Sequence, residues 1–438
     1  MTEHPVHLVV SDDLRRSRGT VFFRAWFAFP FFLWLALWSL AAFVVAVINW
    51  LATLTLGRSP EGLHRFLAGY VRYATHAYAY INLAAEPLPS FSGRSEYAVD
   101  VEIGPPERQN RWSVAFRAVL ALPALALVLV LVGGGFYATR VWSAGSDSSL
   151  LGTCVLLGWF TALTRARMPR GLRDALCYAL SYGAQFWAYL LLLTSRYPDS
   201  DPLAALPEVP TRSDPVRLDV EDELRRSRLT VFFRLLLALP HLVWLLLWGI
   251  VASLAAIANW LATLVSGSSP RPLHRFLAAF LRYQTHVYCY LYLVANPFPG
   301  FTGAADGYPL KLIVEEPRRQ NRWIVGFRAL LAVPALLIAS AYGGLLLTIA
   351  FLGWFAALVS GRMPGGLRNA GALAIRYAAQ TGGYLLVLTD HYPYSGPSLS
   401  PPPMAGDRPT TPAPPSVAAA SPFPPTAAPP SQPPPATT

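Results

Sequence analysis

The sequence predicts an all-α integral membrane protein with a minor β element, built from four repeated modules. Hydrophobic residues make up 54% of the chain and charged residues only 13%, which is too apolar for an ordinary soluble fold. The apolar residues form long runs rather than stripes of 3.6-residue period, as expected for membrane-spanning helices. An arginine six residues before a proline opens each of four such runs, at Arg24 and Pro30, Arg117 and Pro123, Arg234 and Pro240, and Arg328 and Pro334.

The four modules form two duplicated halves. Residues 5–91 match residues 215–301 at a constant offset of 210. Residues 97–200 match residues 308–396, and both ranges contain the sequence Arg-Gln-Asn-Arg-Trp. A two-module unit has therefore itself been duplicated.

The duplication predicts two membrane domains joined by a linker. We expect the first domain to cover residues 1–200, the linker 201–214 and the second domain 215–396. Residues 397–438 are rich in proline, alanine, serine and threonine, so they cannot form a hydrophobic core. We expect a disordered Pro-rich C-terminal tail there.

Each module opens with a short segment in which apolar and polar residues alternate. This period of two predicts a half-buried strand. Four such strands are too short to stand alone, and they could pair into one small sheet at the membrane surface. The segments begin at Val6, Val99, Val216 and Leu310.

A long apolar block follows, residues 20–57 in the first module. As one helix it would be about 55 Å long, much longer than the ~30 Å hydrocarbon core. In the second module a polar insertion over residues 139–149 interrupts the block after Gly133, and insertions are tolerated in loops rather than in spanning helices. We therefore interpret each block as a transmembrane helical hairpin, kinked at the motif proline, with its tip at the position of this insertion, which aligns with Ser39, Gly249 and Gly343-Gly344 in the other modules.

Charge placement also favours the hairpin. Basic residues such as Arg15 and Arg58 flank both ends of the block, and the positive-inside rule then puts both ends in the cytoplasm. Each block must in that case cross the membrane twice. The alternative is an interfacial first helix that ends at the proline, followed by a single span of about 25 residues.

After each block the sequence predicts an amphipathic interfacial helix of about 25 residues. In the first module Arg65, Arg72 and His76 share one face, and tyrosines occupy flanking positions. This composition is typical of the headgroup layer of a membrane. A proline marks the start of each helix, at Pro60, Pro169, Pro270 and Pro364.

Two sets of side chains are predicted to contact lipid headgroups. The motif arginines lie in the first turns of the spanning arms, where they can snorkel to phosphate, and a ring of arginines around an anion site is the alternative. They are Arg24, Arg117, Arg234 and Arg328. The interfacial helices add Arg65, Arg72, Arg275, Arg282, His76 and His286.

The net charge of +11 indicates a membrane rather than nucleic acid as the partner, because the basic residues flank apolar runs. We expect contact with anionic lipids of the inner leaflet. We also expect a multi-pass protein of the cell membrane with both termini in the cytoplasm. The proline runs of the tail could dock on a protein partner, although a solvated spacer is favoured.

No catalytic or metal-binding set is visible in the sequence. It has no Gly-rich phosphate loop, no Ser-His-Asp set and no pair of spanning carboxylates, so we expect a non-enzymatic protein without a cofactor. His64 and His76 would lie about 18 Å apart along one helix, which is too far to share a metal ion. The three cysteines are isolated in apolar surroundings and are interpreted as buried hydrophobic residues.

The third module resembles the bacterial, mostly actinobacterial, membrane family of domains of unknown function 4389 (DUF4389). The resemblance is carried by the run from Arg228 to His241, the turn from Gly267 to Pro270 and the closing run from Tyr290 to Pro297. It extends more loosely over all four modules, residues 5–397. It implies an integral membrane protein, commonly with tandem domains, and it brings no established activity and no catalytic residues.

This chain departs from the shared pattern at two places. One is the insertion over residues 139–149. The other is Ser268, because the other three modules carry an arginine at that position, namely Arg58, Arg167 and Arg362.

These observations favour a membrane protein that engages anionic lipid or scaffolds envelope partners. The alternative is a small-solute or lipid transporter with a site at the interface of the internal repeats. Asn49 and Asn259 are the polar side chains inside the apolar blocks on which such a site would depend. We interpret both as packing groups that bond a neighbouring helix.

Overall fold

The computed structural model describes residues 4–93, 96–133, 149–205, 216–220, 223–304 and 308–397. These residues are mostly helical with a minor antiparallel β component, as the sequence predicts. Most of the polar insertion, most of the predicted linker and the Pro-rich tail lie outside the described residues. The start of the predicted linker forms a short helix, Pro202–Ala205.

The first half contains two strands and nine helices among its described residues. In chain order they are β1 (Val6–Val10), α1 (Arg18–Phe22), α2 (Arg24–Leu56), α3 (Glu61–Ile81), β2 (Val99–Ile103), α4 (Arg111–Ala115), α5 (Arg117–Leu120), α6 (Leu122–Leu131), α7 (Leu150–Arg165), α8 (Arg170–Leu190) and α9 (Pro202–Ala205).

The described part of the second half repeats this order. Its elements are β3 (Val216–Val220), α10 (Arg228–Phe232), α11 (Arg234–Ser266), α12 (Arg271–Leu291), β4 (Leu310–Val314), α13 (Arg322–Gly326), α14 (Arg328–Leu331), α15 (Val333–Ser360) and α16 (Gly365–Leu385).

The predicted helical hairpin is wrong. Helices α2 and α11 are continuous over 33 residues each and run through Pro30 and Pro240. At Ser39, the predicted tip, the hydroxyl donates a hydrogen bond of 2.6 Å to the carbonyl of Leu35, one turn earlier in the same helix. A single Ser39 or Gly249 at the predicted tip can stay helical at a modest cost, and a proline removes only one backbone hydrogen bond, so nothing local forces the chain to reverse.

Each continuous long helix ends at a glycine in the left-handed conformation. The glycines are Gly57, Gly267 and Gly361, with φ of 74°, 78° and 69°. Glycine adopts this conformation without the steric penalty of a Cβ atom, and it is a common helix terminator. The fourth module differs at the other end of the block. There the helix is interrupted before the motif proline, and α15 begins at Val333.

The second module contains the same block in two pieces, α6 and α7. The Ser149 hydroxyl caps α7 by accepting from the backbone N–H of Gly152. A Cβ atom on Gly133 would lie 2.9 Å from that hydroxyl oxygen, so the two ends of the insertion meet. Both pieces pack along α15. The insertion therefore interrupts a helix and does not mark the tip of a hairpin.

The four strands form two separate two-stranded sheets rather than one. Strand β1 pairs antiparallel with β2, with Leu8 opposite Val101, and β3 pairs in the same way with β4. The inward side chains of β1 and β2 are buried, whereas the outward Glu102 is 62% exposed and His7 is 37% exposed. The first sheet therefore has one face on the core and an outer face that carries His7, Val9 and Glu102.

The predicted interfacial helices form the core. Helix α3 packs against α2, α8 and β2, and α8 packs against α6, α7 and β1. Tyr73, His76 and Tyr80 of α3 are each at most 1% exposed. Helices α12 and α16 occupy the equivalent places in the second half. On α3, Tyr73 donates to the carbonyl of Phe31 and His76 bonds Asp100 inside the fold, so the buried face of this helix does not need the headgroup layer as a partner.

The two halves meet through equivalent surfaces of their second modules. A Cβ atom on Gly171 would lie 2.8 Å from the Ser395 hydroxyl, and one on Gly366 would lie 2.9 Å from the Ser200 hydroxyl. Tyr394 donates a hydrogen bond of 2.7 Å to Asp174 across the same boundary. These reciprocal contacts relate the halves by a pseudo-twofold axis.

Candidate functional site

The long helices expose a continuous apolar surface. In α2 the side chains of Trp26, Leu40 and Phe43 are 80%, 70% and 71% exposed. Only 17% of the most apolar stretch of α2, and likewise of α11, is buried within the protein. By length and composition α2, α11 and α15 could each cross a membrane. An apolar surface of this extent requires a partner other than water.

The motif arginines lie inside the fold rather than at a headgroup surface. Arg24 is 3% exposed and donates hydrogen bonds to the carbonyls of Tyr80 and Ala85, at the end of α3, and to Glu86. Its guanidinium also lies over the Tyr80 ring, 4.6 Å from the centroid. The buried end of α3 leaves carbonyls without helical partners, and Arg24 satisfies them.

The same arrangement occurs in the other three modules. Arg117, Arg234 and Arg328 are at most 3% exposed, and each donates to carbonyls at or just after the end of α8, α12 or α16. Each also lies over a tyrosine ring of the same helix. The predicted headgroup contact is therefore incorrect for all four, and their role is to cap buried helix ends.

A second group of predicted headgroup contacts is also engaged internally. His76 Nε2 lies 2.8 Å from Asp100, and Arg72 donates to the carbonyl of Val101 beside the same carboxylate. Burial raises the pKa of Asp100, but the hydrogen bond and charge of His76, the Val101 N–H and the charge of Arg72 outweigh it, so the pKa lies below its usual value.

The equivalent residues of the third module are similarly placed. His286 stacks on Tyr308 with ring centroids 4.5 Å apart, and Arg282 donates to the carbonyl of Gly303. Of the ten predicted contacts only Arg65 and Arg275 are exposed. For these two the headgroup role stays a prediction.

The structure instead brings other arginines together, in pairs that sequence spacing did not reveal. Four isolated antiparallel β-bridges connect neighbouring modules. In each bridge one residue follows the apolar helix of one module, and the other precedes the first short helix of the neighbouring module. The bridged pairs are Arg15 with Arg167, Arg58 with Arg108, Arg225 with Arg362, and Ser268 with Arg319. We call these pairs the arginine bridges. All seven arginines are exposed.

Backbone geometry fixes each pair. Residues opposite each other in an antiparallel bridge have Cα atoms about 4.5–5.5 Å apart and side chains on the same side. Around the first bridge, the N–H of Arg16 donates to Ala166 and that of Met168 donates to Leu14, at 3.0 and 2.9 Å. Two like charges held opposite each other are unfavourable, and an anion between them removes that penalty.

A further arginine joins each of three bridges. Arg18, Arg111 and Arg228 each donate a hydrogen bond of 2.9 Å from Nη2 to a carbonyl in the last turn of a long helix. At the fourth bridge the Nε atom of Arg322 lies 3.7 Å from the Cβ position of Gly267. Guanidinium groups bind phosphate through paired N–H donors, so three of them at one helix end make a site suited to a phosphate group.

The first arginine bridge borders a cavity of about 780 Å³. Its lining includes Arg15, Arg165 and Arg167, and the acidic residues Asp12, Asp13 and Glu86. Asp12 is paired with Arg16 at 2.8 Å and Glu86 with Arg24 at 2.6 Å, whereas the exposed Asp13 accepts a hydrogen bond from the backbone N–H of Arg15. The three exposed guanidinium groups therefore outnumber the one exposed carboxylate at the cavity.

The family model described as "Domain of unknown function (DUF4389)" matches residues 18–93, 228–302 and 322–395. These three ranges together cover about half of the chain. The chain belongs to the DUF4389 family. No curated protein and no solved structure matches it.

The three matched DUF4389 copies each run from the first short helix to the turn after the core helix. Each therefore includes the motif arginine and the carbonyls that it caps. The second module, with the insertion, lies outside the matched ranges, although its helices α4 to α8 follow the same order as those of the DUF4389 copies.

The remaining polar candidates are structural in this DUF4389 chain. Asn49 donates to the carbonyl of Leu191 at 3.1 Å and accepts from the Ser59 hydroxyl at 2.6 Å, and Asn259 is held in the same way. No group of three or more His, Cys, Asp or Glu residues among the described residues could hold a metal ion.

One sequence signal could have revealed the arginine bridges. In three modules an arginine directly follows the left-handed residue that ends the apolar block, as Arg58 follows Gly57. In the sequence these arginines flank an apolar block and therefore indicate only its topology. Arg108 is 50 residues from its partner Arg58, and Arg15 is still farther from Arg167, so only tertiary structure identifies the pairs.

Proposed function

We propose that this DUF4389 protein embeds its long apolar helices in a membrane and binds the phosphate groups of anionic lipids at the arginine bridges. The proposed role is non-enzymatic. The observation that carries it is the pairing of exposed arginines at the ends of helices whose sides are apolar and exposed.

Depth and charge support this assignment. A helix end beside an apolar surface lies at the level of the headgroups when that surface is in hydrocarbon. Each arginine near an anionic membrane surface contributes about 1 kcal/mol of attraction. Because anionic lipid is concentrated in the cytoplasmic leaflet, we place the arginine bridges, and with them the N-terminal strand, on the cytoplasmic side.

The test is lipid retention by the full-length chain. The protein is reconstituted with phosphatidylcholine and phosphatidylglycerol, extracted gently, and the bound lipid is counted by native mass spectrometry. The double variant Arg15→Gln with Arg167→Gln loses both positive charges of the first arginine bridge, which removes about 2 kcal/mol of attraction to anionic lipid at that site. We expect this loss to weaken retention of phosphatidylglycerol there about 30-fold.

The control variant is Lys311→Gln, which removes an exposed positive charge from the edge of β4. We expect it to retain phosphatidylglycerol like the wild type. Equal losses in the bridge variant and the Lys311 variant would show that net charge alone recruits the lipid, and the proposal would fail.

A further inference from the structure

We propose that the long helices α2 and α11 lie along one leaflet of the membrane rather than crossing it. The inference rests on the proposed insertion into a membrane but not on lipid binding at the arginine bridges. The occupant of the apolar surface is then the hydrocarbon of a single leaflet.

The core helices of the first half, α3 and α8, are joined at both ends. His64 at the start of α3 lies 3.2 Å from the carbonyl of Leu193, just after α8. At the opposite end Arg173 of α8 donates to Asp12, whose carboxylate pairs with Arg16, and Arg16 donates to the carbonyl of Leu83 after α3. Helices α3 and α8 are therefore antiparallel neighbours along their whole length.

The sheet of β1 and β2 lies over the middle of this helix pair. Arg72, near the centre of α3, donates to Val101 of β2, and Gln185 of α8 donates to Val6 of β1. Neither contact lies at a helix end. The sheet is thus level with the middle of the helices, with its outer face turned away from them.

Helix α2 packs on another side of α3. The Ser39 and Tyr70 hydroxyls are 2.9 Å apart, and Tyr73 donates to the carbonyl of Phe31 at 2.9 Å. Tyr70 and Tyr73 thus turn toward α2, whereas Arg72 turns toward the sheet. The half consists of three layers, namely apolar helices, core helices and a sheet.

These layers exclude an upright α2. If α2 crossed the bilayer, the middle of the helix would lie at the bilayer centre, and the sheet would lie at the same depth. The exposed Glu102 and its partner His7 would then lie in hydrocarbon, which is strongly unfavourable for ionisable groups. With α2 parallel to the membrane surface, the same sheet faces water.

Helix length and charge agree with the parallel orientation. At 33 residues α2 is about 50 Å long, whereas the hydrocarbon core is only about 30 Å thick. Arg18 precedes one end and Arg58 follows the other. A helix with basic residues at both ends satisfies the positive-inside rule when both ends lie on the same side.

The experiment asks on which side each end of α2 lies. A Cβ atom added at Gly19, before α2, or at Gly62, after it, meets nothing within 4 Å. The native cysteines at 154, 177 and 289 are buried. Full-length Gly19→Cys and Gly62→Cys variants in sealed vesicles of known orientation are treated with a membrane-impermeant maleimide. We expect both to react from the same side, and reaction from opposite sides overturns the inference.

A second measurement covers the case in which headgroups shield either cysteine. Nitroxide labels at Leu33, Leu40 and Val47, which are all exposed on α2, report depth by collision with oxygen and with a polar nickel complex. We expect three similar, shallow depths. A profile that reaches the bilayer centre at Leu40 and returns overturns the inference.

The two proposals fail separately. Labelling from opposite sides together with arginine-dependent lipid retention would refute the orientation and leave the proposed function intact. Labels equally accessible to water at all three α2 positions would show that the helix is not in a membrane, and the proposed function would fail as well.

Discussion

Replacing the buried Arg328 is expected to destabilise the fold severely. Its guanidinium donates three hydrogen bonds of 2.7 Å each, to the carbonyls of Tyr384 and Thr389 and to the side chain of Gln320. It also lies 4.5 Å from the centroid of the Tyr384 ring. The Arg328→Met variant keeps most of the side-chain volume but leaves these acceptors unpaired in a buried place.

The magnitude follows from these contacts. Each unsatisfied buried acceptor costs about 1–3 kcal/mol, so the three acceptors of Arg328 together cost at least about 3 kcal/mol. For a domain of this size each kcal/mol corresponds to about 2–4 °C in the midpoint of thermal unfolding. We therefore expect Arg328→Met to lower that midpoint by about 10 °C.

The assay is thermal unfolding of the full-length protein in detergent, followed by tryptophan fluorescence. Arg275→Gln is the control, because Arg275 is exposed and such surface changes usually alter stability by less than about 0.5 kcal/mol. If Arg328→Met unfolded at the same temperature as Arg275→Gln, the capping role would be wrong and the motif arginines would need another explanation.

Three further predictions concern the fourth arginine bridge, the buried carboxylate and the glycines. Ser268→Arg completes the fourth bridge and should add retained phosphatidylglycerol in the native mass spectrum, whereas an unchanged count contradicts the site. The pKa of Asp100 is lower in the folded protein than in the unfolded chain. Its ionised carboxylate therefore stabilises the fold at pH values above the unfolded pKa, and this contribution is lost as the pH falls through the folded pKa. Unfolding midpoints of the wild type should therefore fall more steeply below about pH 4 than those of Asp100→Asn, and parallel curves contradict this. Gly303→Ala places a Cβ 2.2 Å from the carbonyl oxygen of Ala279 at φ +63°, whereas Gly343→Ala meets nothing within 4 Å. Gly303→Ala should lower the unfolding midpoint by several degrees, whereas Gly343→Ala should leave it unchanged or raise it. Equal midpoints for the two variants would contradict this prediction.

Much of the local structure could be predicted from the sequence. The alternating segments at Val6 and Val99 are strands, and the core helices α3 and α8 begin directly after Pro60 and Pro169. These features depend on residues close in the chain, whose periodicity and backbone preferences are visible in the sequence. Family membership in DUF4389 could be predicted for the same reason.

The continuity of the long helices could not be predicted because several explanations of their length fit the same residues. A block of this length can tilt strongly, lie partly in the interface or fold back, and the basic ends and the insertion favoured the last of these. The insertion was misleading in particular, because α6 ends and α7 starts at adjacent points in space, beside Gly133 and Ser149.

The role of the motif arginines was hidden for a different reason. Arg24, Arg234 and Arg328 each bond a carbonyl 56 residues further along the chain. Local spacing places these arginines at the start of an apolar helix, where snorkelling is the usual explanation. Only the packing of that helix against the end of the core helix shows that the charge is turned inward.

The reciprocal contact between the halves has a consequence for shorter members of the family. A chain with only one pair of modules would carry the Gly171 surface together with the Ser200 surface, each shaped to receive the other from a second molecule. We expect such half-length chains to assemble as symmetric dimers. Fusing both copies into one polypeptide removes the need to find a partner, and it frees the two sides of the contact to diverge, as Asp174 and its counterpart Asn369 have done.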